Sequence, residues 1–222
     1  DAELFIVLGS DTLSDLPNWY HPEEVLKLAD VLCVPRIGRN ENDEETARTL
    51  SARYDTKITL LSAKADIIAS TEIRKRLLEG LPVDGQMPEA VEQALFEGGA
   101  YLPPEVRALQ TQLRAALTTK RYKHSCGAMR VAARLAVLWG QDAKKARIAA
   151  LLHDCAKCLD LREQELLSGD ESGIPAVYHA FAGAVVAKTE YGIMDEAILR
   201  AIRLHTTGDW GMTDFDALVY VA

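Results

Sequence analysis

No apolar run in this 222-residue chain approaches the ~20 residues that a membrane-spanning helix needs. No signal-peptide pattern is visible either, so the expectation is a cytoplasmic protein with no membrane partner. Cysteine is scarce: four in a chain of this length do not make a disulfide scaffold, which points to a reducing compartment. Positive charge is also in short supply. Against 33 Asp and Glu stand 25 Lys and Arg, leaving a net charge of −8, which argues against general nucleic-acid binding because that depends on a positive field. A small polyanion needs only a local basic pocket and stays open. There is no internal repeat and no low-complexity tract. What is present is ordinary: 48% hydrophobic and 26% charged residues, in enough chain for one large domain or two small ones.

The chain begins at Asp1 and passes almost at once into Leu4-Phe-Ile-Val-Leu8, which reads as a fully buried strand of a parallel sheet. The turn Gly9-Ser10-Asp11 follows, then Leu16-Pro-Asn-Trp-Tyr20 and a helix opened by His21-Pro22 and running from Glu23 to Ala29. Strands are expected at Val31–Val34 and Ile58–Leu61, and helices at 43–54, 72–79 and 88–96. Ser70-Thr71 caps the second of these helices, and Gly80 and Gly98-Gly99 stop the second and third. Alternating strands and helices imply a parallel sheet with helical crossovers. Gly98-Gly-Ala-Tyr-Leu-Pro-Pro104 marks a boundary, after which strand signals cease. Residues 105–117, 123–139, 142–158, 160–168, 175–190 and 194–205 read as helices, so the second domain is all-α. The last residues, Ala217-Leu-Val-Tyr-Val-Ala222, form another apolar run. Natural ends are usually polar and loose, and three strands are few for such a sheet. Both ends therefore read as cut, with a front half expected before Asp1.

The second half is organised around His153-Asp154, inside Arg147-Ile-Ala-Ala-Leu-Leu-His-Asp-Cys-Ala-Lys157. A histidine and an aspartate side by side in an apolar run are costly to bury unless each finds a partner. A metal ion satisfies both, since imidazole and carboxylate together suit zinc, iron and manganese. Of the five histidines in the chain, three more lie in this half, His124, His179 and His205, each on a different expected helix; His21 lies far upstream. Cys155 and Cys158 form a Cys-x-x-Cys on the same helix. They read as two small apolar side chains facing the core, because a redox pair normally sits at a helix start after a strand.

These motifs resemble the HD superfamily of metal-dependent phosphohydrolases, and within it the YqeK family of symmetrical bis(5'-nucleosyl)-tetraphosphatases. Lys120-Arg-Tyr-Lys-His124, Leu152-His-Asp-Cys-Ala-Lys157, His179 opening a helix, and Ala201-Ile-Arg-Leu-His-Thr-Thr-Gly208 carry the resemblance, over roughly residues 101–222. It implies an all-α HD domain with two divalent metal ions, iron or else manganese, held by His124, His153, Asp154, His179 and His205. It further implies that a metal-bound water beside Asp154 is the catalytic group, splitting diadenosine tetraphosphate into two ADP. Two cations can hold a phosphoryl oxygen and make hydroxide near neutral pH. Lys120, Arg121, Lys123, Lys157 and Arg203 could neutralise a polyphosphate, with Thr206, Thr207 and Gly208 beside it. The family places a further metal-ligand aspartate directly after the Val-Tyr-Val-Ala run, one residue beyond Ala222. The alternatives are an HD domain acting on another nucleotide, or one that binds nucleotide as a regulator.

The front half is less specific by itself. Ser70-Thr71-Glu-Ile-Arg74 opens a helix, and helix N-termini bind phosphate through free N–H groups and the macrodipole; a plain N-cap with a surface arginine accounts for the stretch equally well. The surrounding sequence resembles the C-terminal part of bacterial nicotinate-nucleotide adenylyltransferase over residues 1–99. Phe5-Ile-Val-Leu-Gly-Ser-Asp-Thr-Leu13, Leu16-Pro-Asn-Trp19, Val34-Pro-Arg36 with Gly38, and Ile68-Ala-Ser-Thr-Glu-Ile-Arg74 carry this second resemblance, with Ala69 where serine is usual. It implies a partial Rossmann-like α/β nucleotidyltransferase region in which Ser70, Thr71 and Arg74 hold the phosphates of ATP, bound with Mg. Asp11 and Trp19 would help to place nicotinate mononucleotide. The family's histidine-x-glycine-histidine transfer motif does not occur in these residues.

The expected partners are therefore small nucleotides, ATP, nicotinate mononucleotide and diadenosine tetraphosphate, with no nucleic acid, and a homodimer is left open. Two outcomes follow for these 222 residues on their own. They should make no deamido-NAD from ATP and nicotinate mononucleotide, and measurable turnover would contradict that. They should bind metal weakly in a calorimetric titration, and tight binding of two irons would contradict it.

Overall fold

The computed structural model describes residues 3–35, 42–62, 68–169 and 173–222. The chain divides into two compact units, Asp1–Ala69 and Ser70–Ala222. Arg36 and Gly38 lie outside the described residues.

In the first unit three strands, β1 (Phe5–Gly9), β2 (Asp30–Val34) and β3 (Ile58–Leu60), form a parallel sheet in the order β1-β2-β3. Val31 pairs with both Ile6 and Ile58. The crossovers carry α1 (Ser10–Asp15), a 3-10 turn at Leu16–Asn18, α2 (Pro22–Leu26) and α3 (Asp43–Tyr54). Leu13, Leu16, Leu26, Val31, Cys33, Ala47 and Leu50 make a small core. The expectation of a fully buried first strand is corrected: Phe5 is 45% exposed and Val7 64%. β1 is an edge strand here, so one long side of it faces no neighbour among the described residues. The expected turn at Gly9-Ser10-Asp11 is instead the start of α1, which places Leu13 and Leu16 three residues apart and wholly buried.

The second unit is helical: α4 (Ser70–Glu79), α5 (Glu89–Gly98), α6 (Pro104–Ala116), α7 (Thr119–Leu138), α8 (Ala143–Leu152), α9 (Leu161–Ser168), α10 (Pro175–Thr189), α11 (Glu196–Leu204) and α12 (Asp214–Val221). Side-chain caps open several of them. Thr118, Asp142, Asp160 and Asp195 each accept from the first-turn amides, satisfying donors that a helix leaves bare. Thr213 and Asp216 form a reciprocal capping box at α12. One continuous core runs through this unit, from Leu77, Val83 and Phe96 to Met129, Leu152, Ile202 and Leu218.

The packing division thus falls about thirty residues before the Gly98–Pro104 stretch. α4 and α5 follow the sheet in sequence but bury Leu77 and Phe96 in the helical core, at 1% and 2% exposure. Composition registers where strands stop, and it does not register which core a helix joins. A second difference concerns the expected helix 142–158. α8 ends at Leu152, and residues 153–158 are successive tight turns closed by Cys155 N–H to Leu152 O, Lys157 N–H to Asp154 O and Leu159 N–H to Ala156 O.

All four cysteines are free, with Cys33, Cys126 and Cys155 buried and Cys158 exposed. Burial pushes the Cys155 thiol up to about 12, and its Sγ lies 3.4 Å from Gly183 O. The Cys-x-x-Cys is therefore half core and half surface. Thiol titration of the native protein should count one fast group, Cys158, with the other three reacting only after unfolding. Phe96→Ala should cost about 3–5 kcal/mol, read as a lowered melting temperature of the helical unit. A change under about 1 kcal/mol would place Phe96 outside that core.

Candidate metal centre

Two of the five clustered residues are placed by one device. His153 is the C-cap of α8 and His205 the C-cap of α11. The last carbonyls of a helix lack amide partners. Each histidine uses one: His153 Nδ1–H donates to Ala150 O at 2.7 Å and His205 Nδ1–H to Ile202 O at 2.6 Å. A carbonyl only accepts, so Nδ1 carries the proton and the Nε2 lone pair of the neutral ring points away from the helix. This arrangement also explains why His153 and Asp154 stand outside the regular helix.

Both carboxylate oxygens of Asp154 face imidazoles. Oδ2 lies 3.7 Å from His153 Nε2, while Oδ1 lies 3.5 Å from His179 Nε2 and 3.7 Å from His205 Nε2. His124, on the second turn of α7, places Nε2 at 3.2 Å from His153 Nε2. That is the spacing of two imidazoles each about 2.1 Å from one cation. The donors form two groups within 4.8 Å, His124–His153–Asp154 and Asp154–His179–His205, with Asp154 common to both. His153, Asp154 and His179 are buried, at 8%, 6% and 3% exposure.

The electrostatics favour bare donors. Burial lowers the pKa of His153 to about 4 and, with the Lys157 ammonium beside it, that of His179 to about 4. Burial alone would raise the Asp154 pKa. His205, His153, Lys157 and His179 outweigh it and hold that carboxyl well below the usual carboxylate range. Neutral imidazoles around an ionised carboxylate are the donor set that a divalent cation takes. Lys157 Nζ lies 2.8 Å from His179 Nε2, so positive charge is already accommodated at that corner.

α10 passes close to this point at Gly183. A Cβ on Gly183 would come within 3.3 Å of Ile202 Cγ2 and 3.4 Å of His153 O. His179 is the fifth residue of α10 rather than its opening.

The structure brings some of the expected polyphosphate residues to the cluster and not others. Arg121 Nη1 is 3.6 Å from Asp154 Oδ2, and Thr206 Oγ1 is 3.2 Å from His179 Nε2. Lys120 is exposed one turn before His124, on the same face of α7. Thr207 is exposed, and Gly208, at φ +63°, closes the turn by donating its N–H to Leu204 O at 2.8 Å. Lys123 instead pairs with Glu97 at 3.0 Å. Arg203 is a correction. Two residues along a helix are about 200° apart, so it faces away from His205 and stacks over Phe181 at 5.1 Å. There it lines a larger cavity of about 540 Å³ on the outer face of α10 and α11, apart from the histidines. The cavity beside the cluster holds about 170 Å³ and is bounded by His124, His153, His205, Val219 and Tyr220. Val219 and Tyr220 were not expected at the site; the Thr213-x-x-Asp216 spacing is the signal that would have revealed α12.

In the first unit, Asp11 follows β1 at the start of α1 and Trp19 ends the 3-10 turn. Asp11 stands just beyond the carboxyl end of a parallel strand, where α/β sheets bind ligands. In the second unit, Ser70 and Thr71 are exposed as the first two residues of α4, past the cap position expected for them. Arg74 is exposed on the next turn, 5.7 Å over the Tyr101 ring.

Known proteins match different stretches of the chain. The family model described as "HD domain" matches residues 121–222. A Mycoplasma pneumoniae protein named "Probable nicotinate-nucleotide adenylyltransferase/Ap4A hydrolase" is 30% identical over 100% of this chain and 60% of its own length. The symmetrical bis(5'-nucleosyl)-tetraphosphatase of Bacillus subtilis is 42% identical over 48% of this chain and 61% of its own. A Dehalococcoides mccartyi protein named "Probable nicotinate-nucleotide adenylyltransferase" is 32% identical over 45% of this chain and 49% of its own. The chain thus spans about 60% of the length of the curated relatives that match it throughout. Among solved structures, an HD superfamily hydrolase from Clostridium acetobutylicum aligns with 52% of this chain and 66% of its own, at 36% identity and a TM-score of 0.48. No helix among the described residues is long and apolar enough to cross a membrane. Over its whole length the chain is similar to proteins whose names join nicotinate-nucleotide adenylyltransferase to Ap4A hydrolase, and its residues 121–222 match the HD domain.

Proposed function

We propose that this chain is the middle-to-end portion of a bifunctional enzyme, in which residues 101–222 hydrolyse diadenosine tetraphosphate to two ADP. Residues 1–99 are then the Rossmann-like C-terminal part of a transferase that adenylates nicotinate mononucleotide from ATP. The observation that carries the hydrolase is the meeting of imidazoles from α7, α10 and the ends of α8 and α11 at the two oxygens of Asp154. His124, His153 and Asp154 would hold one divalent cation, and Asp154, His179 and His205 the other, iron or manganese by the donor set. Such a pair supplies charge to phosphoryl oxygens and acidifies water near neutral pH.

The chain's own residues do the rest. Asp154 keeps its carboxylate ionised at the centre. Lys157 and Arg121 bring positive charge within reach of it, and Lys120 extends that charge outward along α7. A tetraphosphate laid across these cations presents its central bridging P–O bond to the cluster. Water adds to phosphorus in line, the bond breaks, and each half leaves as ADP. Thr206 is placed to donate to a phosphate oxygen beside His179. In the transferase, the first turn of α4 supports a phosphate role through its bare amides, Ser70, Thr71 and Arg74, for ATP with Mg. Asp11 and Trp19 remain the nicotinate-nucleotide candidates.

Elemental analysis and a product assay on the full-length protein test the hydrolase. Asp154→Asn should lose both metal equivalents, His124→Ala and His179→Ala one each, and Asp154→Asn should lower kcat by at least about a hundredfold. An Asp154→Asn protein that keeps its metal and its activity would sink the assignment. ADP should be the sole nucleotide product. Turnover of a different nucleotide alone, or tight binding of diadenosine tetraphosphate without turnover in the metal-loaded protein, would move the domain to another substrate or to a regulatory role.

A further inference from the structure

Arg147, on α8, is 1% exposed and takes no part in the metal cluster. Its guanidinium reaches across to the end of α4, where Nη1 donates to Leu77 O at 2.8 Å and Nη2 to Leu81 O at 3.5 Å. Its Cζ stands 5.0 Å from the centre of the Phe96 ring on α5. Nε has no partner. A buried charge held chiefly by carbonyls is a poor way to fill volume, since an apolar side chain would cost less.

What the charge does secure is a junction. α4 ends in a left-handed Gly80, at φ +85°. Leu81 N–H returns to Arg76 O at 2.8 Å and Gly80 N–H to Leu77 O at 3.3 Å, a Schellman closure. A Cβ on Gly80 would come within 3.3 Å of Lys144 Cγ and 3.5 Å of the Lys144 backbone nitrogen. The end of α4 therefore rests on the first turn of α8. The guanidinium supplies the cation that a helix C-terminus favours.

The opposite ends of the two helices carry the chemistry. Seven residues separate Leu77 from Ser70, about 10 Å of helix, and six separate Arg147 from His153, about 9 Å. We propose that Arg147 is a positioning residue for the phosphate-binding turn of α4. The guanidinium fixes that turn in the frame of the helix that ends in His153–Asp154, so both sites share one rigid strut. This rests on the reading of Ser70, Thr71 and Arg74 as holding ATP phosphates.

The test is transferase and hydrolase kinetics on the full-length enzyme carrying Arg147→Met, Arg147→Lys, Gly80→Ala or Arg74→Ala, with thermal melts alongside. Arg147→Met should raise KM for ATP about tenfold with kcat changed far less, the loss of a hydrogen bond from a charged donor. Arg147→Lys keeps the charge and one donor and should rescue most of that, leaving a rise of about threefold. Gly80→Ala, which strains the left-handed closure of α4 without touching the arginine, should also raise KM for ATP. A packing role alone would lower both activities in step with the folded fraction and leave KM unchanged; that result overturns the proposal. Should Arg147→Met not fold, Arg147→Lys decides, and an unchanged KM there overturns it. If Arg74→Ala raises KM and the Arg147 and Gly80 variants do not, the strut fails while the phosphate-binding reading stands. If Arg74→Ala leaves KM unchanged, the reading itself fails and the strut with it.

Discussion

Keeping one carboxylate ionised inside a helical core is the constraint from which the arrangement of the second unit follows. Asp154 is 6% exposed, and desolvation on that scale works against its charge. The compensation cannot come from one neighbour, because the two oxygens point in different directions. It comes from three imidazoles and an ammonium delivered by several helices. That requirement brings α8, α10 and α11 together at their ends, while the alanine-rich interior of α7 and α8 lets them pack closely. A site of this kind is built at the ends of helices, where backbone carbonyls need partners and side chains can serve two ends at once.

The same economy appears in the repeated geometry of His153 and His205. Each ring spends one nitrogen on the carbonyl three residues back and offers the other to the centre. Helix termination and ligand orientation are thus one event. The motif spacing looks like a helical pattern from outside, yet the functional residues begin where the helix stops.

Much of this was legible beforehand, and the shortfalls have identifiable causes. The four clustered histidines stood out because histidine is rare and each lay on a separate expected helix, with Asp154 directly after one of them. The end of α8 was misjudged because Cys155 and Ala156 continue the apolar pattern, although the chain has already left the helix. Arg203 looked like a neighbour of His205 by sequence and is not one, since two residues along a helix face opposite ways. β1 read as interior because its residues are apolar, and edge position is a property of pairing that no single segment encodes. Asp216 and α12 were hidden behind an apolar tail, although Thr213 at the right distance signalled the cap. In the sequence Arg147 opens the apolar run before His153 and carries no other signal. Its burial depends on the end of α4, some seventy residues away.

Gly183 gives the cluster its scale. α10 carries His179, and the chain that carries His153 runs close beside it: a Cβ at 183 would stand 3.3 Å from Ile202 Cγ2 and 3.4 Å from His153 O. The approach of the two segments beside the donors is therefore close to van der Waals contact. A single added carbon would ask Ile202 to give by a few tenths of an ångström next to the span across which one aspartate faces both groups of donors. Drift at this position during evolution would retune or dismantle the centre without altering any residue that touches it.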